Sequence, residues 1–182
     1  MTVPDALVLE SEQELLAVVP DPVGRLDQVA VGLGGTPVFL GTLRPPEQAQ
    51  VSLAHAREVH RLVAAGTVRG GSLVLAGEHL PELVLGADPA LVAELSGPVL
   101  APLADLPPGR RAVLERTLAA WLAHQGDRGA VARALQVHPQ TVSYRMARLA
   151  DLVGARLADP RGRLELTLAL SAGPGGTAWR RG

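Results

Sequence analysis

Short apolar runs dominate the first third of this chain, and helical spacing dominates the rest. Residues 6–10 and 14–19 are two apolar runs around Ser11-Glu12-Gln13, the pattern of a β-hairpin. Pro20-Asp21-Pro22 stops the second run. Residues 28–33 read as a third strand ended by Gly34-Gly35, and residues 36–43 as extended chain. Pro45-Pro46 then opens a helix to about residue 65. Ala49, Leu53, Ala56, His60 and Val63 recur at helical spacing, and Gly66 is placed to cap the end. Residues 72–75 read as a strand. From Leu80 to Leu103 the spacing is helical again, with breaks expected at Gly86 and Gly97-Pro98. Pro107-Pro108-Gly109 punctuates the chain as a boundary.

The pattern is sharpest in residues 110–170. Val113, Leu114, Leu118, Trp121 and Leu122 form the stripe of a first helix that stops near Gly126. Asp127 is placed as the N-cap of a short second helix with Val131, Ala134 and Leu135 facing inward. Gln136-Val137 make a tight turn. His138 stands at the next N-cap, with Pro139 at the first helical position, where its missing N–H costs nothing. The third helix is expected from Pro139 to about Val153, ended by Gly154. At about 100° per residue, Val142, Met146, Leu149 and Val153 fall on one face. Gln140, Thr141, Tyr144, Ala147, Arg148 and Asp151 occupy the other, with Arg145 on the flank.

Charge divides the chain at the same place. The net charge of −1 hides five arginines against thirteen acids in residues 1–109, and twelve arginines against five acids in residues 110–182. An acidic module joined to a basic one points to a polyanion as partner of the second. Hydrophobic residues at 47% support a true core, and aromatic residues at 2% leave it to Leu, Val and Ala. Without cysteine there are no disulfides or thiolate metal sites. No secretion signal and no membrane-spanning apolar stretch is evident, so a cytoplasmic location is expected.

The outer face of the third helix has the chemistry of a groove reader. A helix fits the major groove of B-DNA, where Gln pairs with adenine and Arg with guanine, while Thr and Tyr reach phosphate. Gln140, Thr141, Tyr144 and Arg148 are the base or groove candidates. Ser143, Arg145 and Arg128 are the phosphate candidates, with Arg145 directed at the DNA backbone or a neighbouring helix. No metal site is expected, because His55 and His60 point about 140° apart on their helix. Gly34-Gly35 and Gly70-Gly71 lack the residues of a P-loop or dinucleotide fingerprint.

Residues 118–122, 130–135, 138–149 (His-Pro-Gln-Thr-Val-Ser-Tyr-Arg-Met-Ala-Arg-Leu) and 159–170 resemble the C-terminal helix-turn-helix domain of the PucR/CdaR regulators. Gln140 stands where Asn is usual in that family and Met146 where Leu is usual. Such regulators often carry a degenerate GGDEF-like domain upstream. The hairpin, the strand ending at Gly34-Gly35 and the helix at 46–65 resemble the later part of one. In place of its signature turn stands Ser11-Glu12-Gln13-Glu14-Leu15, which implies no cyclase activity and no cofactor.

The expected fold class is therefore α+β. It comprises a partial GGDEF-like α/β remnant with a helical connector (residues 1–106), an all-α helix-turn-helix domain (110–170) and a disordered tail (171–182). The implied function is sequence-specific regulation of transcription by a homodimer on double-stranded DNA. A small-molecule effector would act through an upstream region, and no membrane is involved. The alternative is a non-enzymatic interaction or dimerisation module that keeps the fold without binding DNA.

Overall fold

A computed structural model describes residues 6–10, 15–21, 24 and 36–173. Two compact units divide at Leu83/Val84.

In the first unit, β1 (Leu7–Glu10) pairs antiparallel with β2 (Leu15–Val18), Leu7 opposite Val18 and Glu10 opposite Leu15. This is the expected hairpin. Its turn, the strand expected at 28–33 and Gly34-Gly35 lie outside the described residues. β3 (Val38–Leu40) and β4 (Leu73–Leu75) pair in parallel through α1 (Ala49–Ala64). Parallel strands need such a crossover. Pro46–Gln48 form a 3₁₀ turn before α1. Behind the helix, Gly66 takes φ 73° while Thr67 N–H reaches back to Leu62 O (2.9 Å). That closure requires the left-handed conformation glycine adopts without strain. Val59, Leu62, Val68, Val74, Ala76 and Leu83 form the unit's core. The two histidines of α1 go separate ways: His55 Nδ1 pairs with Thr42 Oγ1 (2.8 Å), and His60 stacks on Phe39.

α2 (Leu80–Ala87) carries the chain into the second unit, which is built from α3 (Pro89–Ala104), α4 (Pro108–Ala123), α5 (Arg128–Leu135), α6 (Pro139–Ala158) and α7 (Pro160–Ala172). Three sequence expectations shift here. The break near Gly86 falls instead at Asp88, whose carboxylate accepts from Leu91 N–H (2.9 Å) and starts α3, with Pro89 in the first turn.

Gly97-Pro98 does not break that helix; Pro98 and Pro102 both lie inside α3. Pro102 has no N–H for the carbonyl of Pro98, four residues earlier. Arg156 Nη2 donates to that oxygen instead (3.4 Å). Finally, α6 does not end at Gly154. Its backbone leaves helical geometry at Val153 (φ −132°, ψ 16°) and resumes to Ala158.

Val99 and Leu103 of α3 share a core with Leu114 and Leu118 of α4, Leu149 and Val153 of α6, and Leu166, Ala169 and Leu170 of α7. Pro107-Pro108-Gly109 thus lies within the second unit, at the connection of α3 to α4. A second cluster of Ala120, Val131, Ala132 and Val142 ties α4, α5 and α6 together. α7 runs through Ser171, which is buried, to Ala172; residues 174–182 lie outside the described ones. Among the described residues no single helix is long and apolar enough to cross a membrane.

Candidate nucleic-acid interface

α5 and α6 owe their mutual placement to two caps and a turn. Asp127 Oδ1 accepts from Ala130 N–H (3.0 Å) and starts α5. Hydrogen bonds from the backbones of Ala130 and then Gly129 hold the Asp127 carboxyl below the usual carboxylate range, with Arg133 and His124 adding attraction. Gln136 ends the helix in the left-handed region (φ 54°, ψ 45°), and Val137 N–H donates back to Ala132 O (3.0 Å). His138 Nδ1 then accepts from Gln140 N–H (3.2 Å) and starts α6. The preceding turn repeats this construction: Gln125 is left-handed (φ 50°), and Gly126 N–H reaches Trp121 O (3.0 Å).

The faces of α6 separate as the spacing predicts. Val142, Leu149 and Val153 are buried, and Met146 packs half-buried between the two clusters. Gln140, Tyr144 (69% exposed), Ala147, Arg148 and Asp151 face solvent, with Thr141 half-buried at the margin. Arg148 Nη1 lies 3.6 Å from Asp151 Oδ2, an exposed pair that costs little to open. One helix face thus brings Gln140, Thr141, Tyr144 and Arg148 together.

The phosphate candidates are less uniform. Arg128 is exposed at the start of α5. Ser143 Oγ donates to Pro139 O (3.2 Å), so its proton is turned to the backbone. Arg145 is half-buried, and its Nη1 donates to Oγ1 of the fully buried Thr117 on α4 (3.4 Å). Of the two directions read for Arg145, the neighbouring helix is the one seen.

Sequence reasoning missed Arg133, exposed on α5 with its charge near Asp127, and treated His138 as a cap alone. Residues 127–158 hold five arginines against two acids, which supplies the positive field a phosphate backbone needs. Among the described residues no cluster of side chains is suited to hold a metal.

Comparison with known proteins covers both units. An uncharacterized protein of Mycobacterium tuberculosis is 33% identical over 152 residues, spanning 81% of this chain and 35% of that protein. One from the pkwA 5′ region of Thermomonospora curvata is 38% identical over 96 residues, 53% of this chain and 52% of that one. The carbohydrate diacid regulator of Escherichia coli is 41% identical over 58 residues, 32% of this chain and 15% of its own length. This chain therefore spans about a third of the mycobacterial relative and about half of the Thermomonospora one. The helices that carry the candidate interface belong to the segment with the most specific match: residues 114–172 fit the PucR C-terminal helix-turn-helix domain.

Proposed function

We propose that this chain is the DNA-reading end of a transcription regulator and that α6 enters the major groove of duplex DNA. The supporting observation is the two-sided character of α6. Gln140, Thr141, Tyr144 and Arg148 are displayed on one face while Val142 and Leu149 lock the other into the core, within the segment that matches a regulatory helix-turn-helix domain. Arg148 and Gln140 are suited to base edges, Thr141 and Tyr144 to the groove wall, and Arg128 to the phosphate backbone, which Ser143 and Arg145 reach once turned from Pro139 and Thr117. One reading head contacts too few bases to stand out among competing genomic sites, so the reading includes a homodimer on paired half-sites about 34–36 Å apart.

The first unit enters this proposal as a degenerate GGDEF-like remnant without enzymatic activity. Its hairpin and parallel β3–α1–β4 unit support that reading. An effector would act through chain upstream of the helix-turn-helix. The reading places the protein in the cytoplasm.

Selection from random duplex DNA followed by salt titration tests the proposal. The expected result is an enriched two-fold site bound with a slope of log K against log salt of about −0.9 per phosphate neutralised. Absence of any salt-dependent duplex binding would leave the non-enzymatic interaction module as the function.

A further inference from the structure

α6 closes its own N-terminus. Its first residue, Pro139, has no N–H. The N–H of Gln140 is taken by the His138 ring (3.2 Å), and those of Thr141 and Val142 by the His138 carbonyl (2.9 and 3.4 Å). The backbone donors that a helix start ordinarily offers an anion are therefore all engaged. A phosphate approaching this end must be met by a side chain.

His138 is placed to do so. Because Nδ1 accepts from Gln140 N–H, the neutral ring carries its proton on Nε2. Nε2 lies on the far edge of the ring from the cap, and His138 is exposed. The cap that starts the helix thereby fixes an outward-facing donor.

A second observation sets this cap apart. Among the described helices with a side-chain N-cap, α3, α5 and α7 use Asp88, Asp127 and Asp159. α6 alone uses histidine, which is not among the strongly preferred capping residues. Helix stability therefore does not explain the choice. A carboxylate at this position would stand beside the path of the DNA backbone, whereas imidazole makes the same capping bond without negative charge.

We propose that His138 is a DNA contact as well as a cap, with its Nε2–H donating to a phosphate oxygen beside the site that α6 reads. This rests on the reading of α6 as the helix in the groove. His138→Ser separates the two roles, since serine is a strong N-cap but too short to reach the phosphate.

At pH 8 the His138→Ser variant of this chain should melt within about 2 °C of wild type or higher, the cap being kept. It should bind cognate and scrambled duplexes about ten-fold more weakly, the typical scale of a hydrogen bond to a charged group. Its salt slope should be unchanged, because a neutral donor displaces no counterion. Replacing one phosphate of the duplex by methylphosphonate should weaken wild type and leave the variant unaffected.

Wild-type affinity in His138→Ser overturns this inference and leaves the reading of α6 standing. A wild type that binds no duplex overturns both. Should the variant melt early, the ¹⁵N spectrum of the intact protein decides: a protonated Nε2 that shifts when duplex is added is expected, and a proton on Nδ1 overturns the proposal.

Discussion

The two compact units build their cores from different kinds of segment. In the first, α1 supplies Val59 and Leu62, β4 adds Val74, and Val68, Ala76 and Leu83 come from the loop after α1, the turn after β4 and α2. In the second, α3, α4, α6 and α7 share one interior where Leu103, Leu118, Leu149 and Leu166 meet from four different helices, and α5 joins α4 and α6 through a second cluster. A core gathered from one helix and the short segments that follow it is a local structure. A core shared among helices fixes the orientation of each, and a reading helix needs that constraint, because its outer side chains point correctly only when its inner face is held.

Removing buried side chains gives the largest test of this contrast. Leu149→Ala should cost the second unit about 2–5 kcal/mol and weaken DNA binding with it. Val59→Ala should cost the first unit about 2 kcal/mol and leave DNA affinity unchanged. Amide hydrogen exchange resolved by residue checks both. Equal loss of protection in α6 from either substitution would show that the two cores unfold as one.

Backbone proximity comes next. A Cβ at Gly162 would fall on the carbonyl oxygen of Arg156 and 2.7 Å from its Cα, so α7 starts directly against the last turn of α6. Gly162→Ala should destabilise by about 1–3 kcal/mol, read as a lower urea midpoint at unchanged slope. An unmoved midpoint would mean that the two helices slide freely, contrary to a shared core.

On the surface of the second unit, Arg148 and Arg145 should come apart. Arg148→Ala is expected to cost about 1–3 kcal/mol on the cognate site and relax preference at one base pair. Arg145→Ala should weaken cognate and scrambled duplexes alike. A salt slope lowered by about one would give it a phosphate, and an unchanged slope would make it a brace on Thr117 only. Equal weakening of both duplexes by Arg148→Ala would mean that α6 is rotated differently in the groove.

The smallest expected effect is acid sensitivity at Asp127. Its carboxyl titrates lower in the folded protein than in the unfolded chain, so it stabilises fully above the ordinary carboxylate range, and this contribution fades as pH falls through the folded value. The difference in Tm between wild type and Asp127→Ala should be constant from pH 7 to about 5 and shrink below about 4. A difference independent of pH down to 2 would show that the cap does not depend on charge.

How much of this is legible in sequence follows the same contrast. Val142, Met146, Leu149 and Val153 repeat at helical spacing over about three turns, and Asp127 and His138 precede their helices at the capping position, so most of the helix-turn-helix can be read from the sequence. In the first unit β3 and β4 are three residues each, too short for periodicity to speak. Two expectations within the second unit fail locally: Ala134, expected to face inward on α5, is exposed while Ala132 is buried, and Val113, expected in the stripe of α4, is exposed. The remaining surprises are tertiary. Arg145 finds Thr117 28 residues away, and Arg156 finds Pro98 58 residues away. Nor does local propensity foresee a helix that keeps two prolines, since it counts the lost N–H groups and not the arginine that replaces one.

That arginine has a consequence for the order of folding. With Pro98 and Pro102 inside it, α3 is a poor helix alone, and part of its hydrogen bonding arrives only once Arg156 is in place. It should therefore assemble after α4–α6. Ala101→Gly is expected to speed unfolding with a φ-value near zero, and a conservative substitution at Val142 to slow folding. A φ-value near one at Ala101 would reverse that order and make α3 the nucleus.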